Sequence, residues 1–445
     1  MRAATARPPI RTGEIGLLGL GGGLVALALV LLLSARGGAG SSPTAAPLTD
    51  PYQATNGDIA FWEQRAHDDP ADFTALNHLA SAYIQRGRET GDVSAYSSAE
   101  AATQASLATL PGDNYTAYAT EAYLKNVRHD FAGSLETAKK AMTLDPGNPY
   151  APMVIGDDEL ALGQYDAAFD GYQKLVAQAP DYSTFARLAQ AYEIRGDLPN
   201  AEGAWKNAVE LDPGTNAEGS AWVRTQYGNF LFNQGRANDA ETQYEGALAA
   251  FPGYIHALAG QANVAAANGD YARAIALDTD VTNRVPLPQY VAALGDIYAT
   301  AGQQDKAQKQ YDLIGAIEQL YQANGINTDL LMSLFFADHN TNIDQAVQQA
   351  MGALQVQPDS IYSADAAGWA LYKAGRFSDA LPYAQRALAQ GTQDASIHYH
   401  AGMIDKALGN TAAARDELSR ALAINPHFSP LLAPIAQQAL EELGG

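Results

Sequence analysis

Apolar residues recur along most of the chain at helical spacing, in pairs of short runs parted by a glycine turn and closed by a proline. Residues 288–321 show the scheme. Leu294, Gly295 and Tyr298 share one face of a first helix. Gly302 ends that helix, because the left-handed conformation just past a helix is cheapest for glycine. Ala307 and Tyr311 then mark the inner face of a second helix, with Gly295 set against Ala307 where the backbones cross. The same phase returns at Gly156 with Ala168 and Tyr172, Gly228 with Ala240 and Tyr244, Gly368 with Ala380, and Gly402 with Ala414. Ala201 and Trp205 follow Gly196 in the same way.

The closing prolines are Pro111, Pro146, Pro180, Pro213, Pro252, Pro286, Pro358 and Pro426, with Thr392 standing in once. Their separations cluster near 34 residues. Such a period predicts a repeat solenoid, whose units cannot bury their apolar faces alone and must stack. The arrangement of an aromatic, Leu-Gly, Tyr, then Ala, an aromatic, Ala and Pro resembles the tetratricopeptide repeat, over roughly residues 73–426. The fold expected is all-α, a right-handed α-solenoid of about ten helix-turn-helix units over residues 71–426, behind an N-terminal transmembrane helix.

Departures from the pattern carry their own expectations. RGRETGDVSA, residues 86–95, reads as a longer polar loop inside the first unit. Residues 327–358 keep only Ala346, Ala353 and Pro358 of the pattern and predict an irregular crossing. Residues 58–70, with Trp62 on the packing face, read as an N-terminal capping helix, and residues 427–445 as a C-terminal one.

Ahead of the repeats, residues 15–35 hold no charge over a length that at ~1.5 Å per residue spans a bilayer core. Arg2, Arg7 and Arg11 precede the stretch and Arg36 follows it. The positive-inside rule then leaves residues 1–14 as a cytoplasmic tail and places the solenoid outside. Residues 36–57, rich in Gly, Ser, Pro and Thr, read as a flexible linker. A single-pass protein of a bacterial cell envelope is the localisation expected, the bacterial source resting on an Ala- and Arg-rich, Lys-poor composition. The alternative is an exported soluble protein after signal cleavage, although the apolar stretch is longer than the 7–15 residues usual for a signal peptide. Gly19 and Gly23 could let two such helices meet closely.

Composition narrows the function. There is no cysteine, so disulfides, thiolate metal sites and a cysteine nucleophile are excluded. The net charge is −22, and beyond Pro51 the chain holds 47 acids against 23 bases. Nucleic-acid binding, which depends on Lys and Arg neutralising phosphates, is not expected. No nucleophile elbow, zinc-protease or phosphate-loop motif occurs, and neither an enzyme nor a cofactor is expected. Asp157, Asp158 and Glu159 point in different directions on a helix, as do His398 and His400, so neither group predicts a metal site.

What the resemblance implies is a concave groove lined by the first helix of each unit, able to take a partner protein or an extended peptide. Carried over by position, the groove residues are Trp222, Asn229, Phe232, Asn233 and Asn263, then Phe335, Tyr362, Trp369, Tyr372, Tyr399 and Met403. Asparagines in a groove can pair with a peptide backbone through donor and acceptor together. Trp369, beside Gly368 at the packing position, reads as an exposed aromatic of the kind binding hot spots use. A membrane-anchored interaction scaffold is the function expected, with an assembly factor for an envelope or polysaccharide-export complex as the alternative.

Overall fold

The computed structural model describes residues 53–323 and 325–444. Among the described residues there are 22 helices and no strand. The first is α1 (Gln53–Asp68). Five helical hairpins follow: α2 (Phe73–Thr90) with α3 (Val93–Thr109), α4 (Tyr115–Val127) with α5 (Phe131–Leu144), α6 (Tyr150–Ala161) with α7 (Tyr165–Gln178), α8 (Tyr182–Ile194) with α9 (Leu198–Glu210), and α10 (Ala217–Asn233) with α11 (Ala237–Ala250). Five more complete the array: α12 (Ile255–Ala267) with α13 (Tyr271–Arg284), α14 (Pro288–Thr300) with α15 (Gln304–Ala323), α16 (Asp329–Asp338) with α17 (Ile343–Val356), α18 (Ile361–Lys373) with α19 (Phe377–Leu388), and α20 (Ala395–Leu408) with α21 (Thr411–Ile424). The last helix is α22 (Leu432–Glu442).

Local chemistry starts many of these helices. Asp72, Asp130, Asp197, Asn216 and Asp270 each accept a hydrogen bond from a backbone N–H of the first turn, satisfying a donor that has no partner within the helix. Each hairpin then closes around its small residue. A Cβ built on Gly295 would lie 2.4 Å from Cε1 of Tyr311, so the close partner of Gly295 is the Tyr311 ring and not Ala307. Gly156 meets Tyr172 and Gly228 meets Tyr244 in the same way. Where the aromatic is replaced by Ala384, Gly368 instead faces the α19 backbone. The α12–α13 hairpin departs most, with a buried Asp278 where its neighbours carry Tyr or Trp.

Residues 86–95 do not form the polar loop expected of them. The helix α2 runs on to Thr90 and α3 begins at Val93. Buried partners far along the chain account for the difference. Arg88 pairs with Glu218, both buried, and Glu89 accepts from the Thr55 hydroxyl at 2.9 Å. A charged segment can stay helical when its charges are met in this way. The weak unit opens on a short first helix, α16, of only 10 residues, and follows an extended α15 of 20 residues in the unit before it. Asn340 and Asn342 between α16 and α17 take positive φ.

The array coils far enough for successive turns to touch. His129 Nδ1 lies 2.7 Å from the Asn327 carbonyl oxygen. The Ile361 N–H donates to the Tyr165 hydroxyl at 2.8 Å, and Asn425 Nδ2 donates to the Phe232 carbonyl at 2.9 Å. A Cβ on Gly196, whose φ is +68°, would fall 2.0 Å from the Gly391 carbonyl oxygen. These contacts join residues 193 to 198 positions apart. That near-constant spacing is one superhelical turn, and the turns within early hairpins abut the links between later ones.

The expected localisation is corrected by the structure. Among the described residues no helix is long and apolar enough to cross a membrane, which overturns the single-pass assignment. The predicted span at residues 15–35, with the tail before it and most of the linker after it, lies outside the described residues.

Candidate functional groove

The helices α10, α12 and α14 stand side by side and bring five of the groove residues read from the sequence to one space. Trp222, Asn229, Phe232, Asn233 and Asn263 all line a groove of about 1020 Å3. Trp222 is buried in the floor, Asn229 and Phe232 are half-buried, and Asn233 and Asn263 are exposed. Asn229 Oδ1 accepts from the Tyr244 hydroxyl at 2.8 Å, which fixes the amide and turns its N–H groups elsewhere.

Further groups line or border the same space. The segment between α21 and α22 closes one side of the groove with His427, Phe428 and Pro430. Arg88 and Glu218 form a buried ion pair at the groove edge, where Glu218 also accepts from the Tyr254 hydroxyl at 3.3 Å. His256 pairs through Nδ1 with the Tyr290 hydroxyl, and burial pushes its pKa down to about 4, so the imidazole is neutral at pH 7. Asp296 takes the Tyr311 hydroxyl at 2.9 Å and His339 Nε2 at 2.8 Å on the same oxygen. The signal for the Arg88–Glu218 pair is spatial, since the two residues stand 130 positions apart.

The second half of the proposed groove set falls elsewhere. Trp369 is 0% exposed and Tyr399 only 1%. The indole stacks on His400 at 4.2 Å and on Tyr372 at 4.9 Å, and its Nε1 donates to Asp338 Oδ1 at 2.7 Å. It is a core residue, not an exposed anchor. One residue past Gly368 turns the side chain about 100° round the helix, away from its own hairpin and onto the neighbouring first helices α16 and α20. Tyr372 and Met403 are half-buried against the same cluster, which α22 covers with Leu432, Ala436 and Ala439. Phe335 is half-buried between His339 and Tyr311. Tyr362 lines a separate cavity.

The remaining candidate chemistry is structural. Asp157 accepts from Tyr172 Oη at 2.8 Å and from Arg187 Nε at 2.8 Å, a pair wholly inside the array. Asp158 points away from it, accepting from Asn126 Nδ2 at 2.7 Å, and burial pushes its pKa up to about 8. His398 pairs with Glu417 and the Thr392 carbonyl, while His400 pairs with Asp365. Among the described residues no group of three or more His, Asp or Glu is placed to hold a metal ion.

One family model and several solved structures are similar to this chain. Residues 153–215, 228–282 and 366–427 match a tetratricopeptide repeat family model. Similar solved structures include the APC/C hetero-tetramer Cut9–Hcn1, at 12% identity over 88% of this chain and 93% of that one, with a TM-score of 0.37. A tetratricopeptide repeat protein from Parabacteroides merdae matches at 15% identity over 59% of this chain and 99% of its own, with a TM-score of 0.34. The human IFIT1 dimer with PPP-AAAA matches at 13% identity over 84% of this chain and 95% of its own, with a TM-score of 0.45. No curated protein matches. None of these similarities bears on membrane attachment, source organism or ligand. The matched segments are tetratricopeptide repeats, and the chain is an all-α solenoid that carries them.

Proposed function

We propose that this protein is an interaction scaffold whose groove along α10, α12 and α14 holds an extended segment of a partner protein. The observation that carries the reading is the run of Asn229, Asn233 and Asn263 on consecutive first helices above an aromatic floor, two of them exposed. A primary amide both donates and accepts, so amides at successive first helices suit the alternating N–H and C=O groups of an extended backbone. Phe232 below them, backed by the buried Trp222, offers apolar area to its side chains. The role is binding and not catalysis, and the Arg88–Glu218 pair closes the groove's edge.

The test uses peptides displayed as a random library on phage and selected on the full chain. Sequences that enrich should bind at least tenfold more weakly to an Asn233→Ala/Asn263→Ala variant whose helical circular dichroism and melting temperature match the parent. Equal binding by the folded variant, or no enrichment at all, would contradict the reading.

A further inference from the structure

We propose that a second cavity of this solenoid binds a protonated amine carried on an apolar stem. The cavity has a volume of about 400 Å3 and lies between early and late turns of the coil. Four carboxyl groups line it: Glu193 at the end of α8, Asp338 at the end of α16, Asp365 on α18, and Asp394 capping α20. Among the described residues no Lys or Arg lines it. The Lys373 Nζ sits over the Trp369 ring, 4.6 Å from its centroid. Leu334 and Val356 contribute apolar wall.

On the same wall one buried imidazole is only loosely met on one side, and one buried hydroxyl lacks a partner. His400 is 3% exposed, its Nδ1 holds Asp365 at 2.9 Å, and its Nε2 lies 3.9 Å from Asp338 Oδ1, beyond hydrogen-bond reach. Burial pushes its pKa down, but Asp365 and Asp338 outweigh that and hold it above the usual imidazole value. Thr328 is 6% exposed with an unpartnered hydroxyl. A native interior rarely leaves such groups unmet unless something else enters. The carboxyls also strain against their setting. Burial pushes Glu193 up to about 8, with Asp394 adding to the rise, and burial raises Asp394 and Asp338 as well. An entering cation offsets both the desolvation and the mutual repulsion, as an opposite charge does for any buried carboxylate. Among the described residues no three such groups converge to hold a metal ion, and the cation proposed here is an organic one. At this volume the apolar wall fits a short alkyl stem behind the charged head.

The proposal does not rest on the peptide groove, although Gln190, Glu193 and Phe428 border both spaces. Two sources share the chemistry: a free alkylamine, and a lysine side chain on a polypeptide. Titration calorimetry on the full chain with n-hexylamine, 1-hexanol and an acetylated, amidated Gly-Lys-Gly peptide separates them. Hexylamine or the lysine peptide should give saturable heat, and hexanol should bind at least tenfold more weakly than hexylamine. Glu193→Gln can still accept the Trp205 indole N–H, and Asp394→Asn can still cap its helix. Each folded variant should weaken amine binding at least tenfold. A peptide tighter than hexylamine assigns the site to a lysine side chain, and the reverse assigns it to a free amine. The proposal is overturned if neither amine binds saturably, if hexanol binds as well as hexylamine, or if both folded variants bind like the parent. Loss of peptide selection at Asn233 and Asn263 would leave these outcomes unchanged, so the two readings fail separately.

Discussion

The Tyr165 hydroxyl accepts the Ile361 backbone N–H at 2.8 Å, although the two residues stand 196 positions apart. The donor belongs to the first turn of α18, where helix N–H groups have no partner of their own. A side chain one superhelical turn earlier therefore completes a helix start. Tyr165→Phe removes the acceptor and strands a buried N–H, at a cost of about 1–3 kcal/mol. Denaturant unfolding should show that loss, and amide exchange at Ile361 should speed up at least tenfold. Unchanged exchange would mean that the turns do not hold each other in solution.

A second expectation concerns the hairpin crossings. Gly295→Ala places a methyl 2.4 Å from the Tyr311 ring and should destabilise by about 1–3 kcal/mol through overpacking. Adding Tyr311→Ala should recover part of that loss, giving a favourable coupling in a double-mutant cycle. Additive effects would show that the ring is not what the glycine accommodates.

The fold was legible because its units repeat. Leu294, Gly295, Tyr298, Ala307 and Tyr311 declare a hairpin by spacing alone, and neighbours in phase confirm it. Asn229, Asn233 and Asn263 were legible for the same reason, since position within a unit sets which face a residue takes. Position within its own hairpin does not reveal the burial of Trp369, which comes from Asp338 on α16 and His400 on α20. Arg88 looked like loop because its partner, Glu218, is 130 residues away. The seam between turns left no mark in hydrophobic period, being made of main-chain groups, glycines and single polar side chains.

Trp369→Ala should therefore act on stability. Deleting a fully buried indole costs about 3–5 kcal/mol and leaves Asp338 without its donor. A large fall in melting temperature is the expected outcome. A nearly unchanged melting temperature would return Trp369 to an exposed surface.

Buried carboxyls set a pH dependence. Burial holds Asp158 at about 8, against the ordinary value near 4 in the unfolded chain. Between those values the unfolded state binds fewer protons than the folded one, so stability falls as pH rises and levels off above the folded value. Asp158→Asn cannot ionise. Its stability relative to the parent should climb by about a few kcal/mol between pH 5 and pH 8, read from urea midpoints. A difference independent of pH would show that Asp158 is ionised in the folded protein.

The most direct test of the groove is where a bound peptide lies. A photo-crosslinking phenylalanine analogue is placed at Asn263, exposed in the groove, and separately at Glu245, exposed on α11. With a selected peptide bound and illuminated, mass spectrometry should find adducts from position 263 and none above background from position 245. Adducts from 245 alone, or equally from both, would contradict binding in the groove.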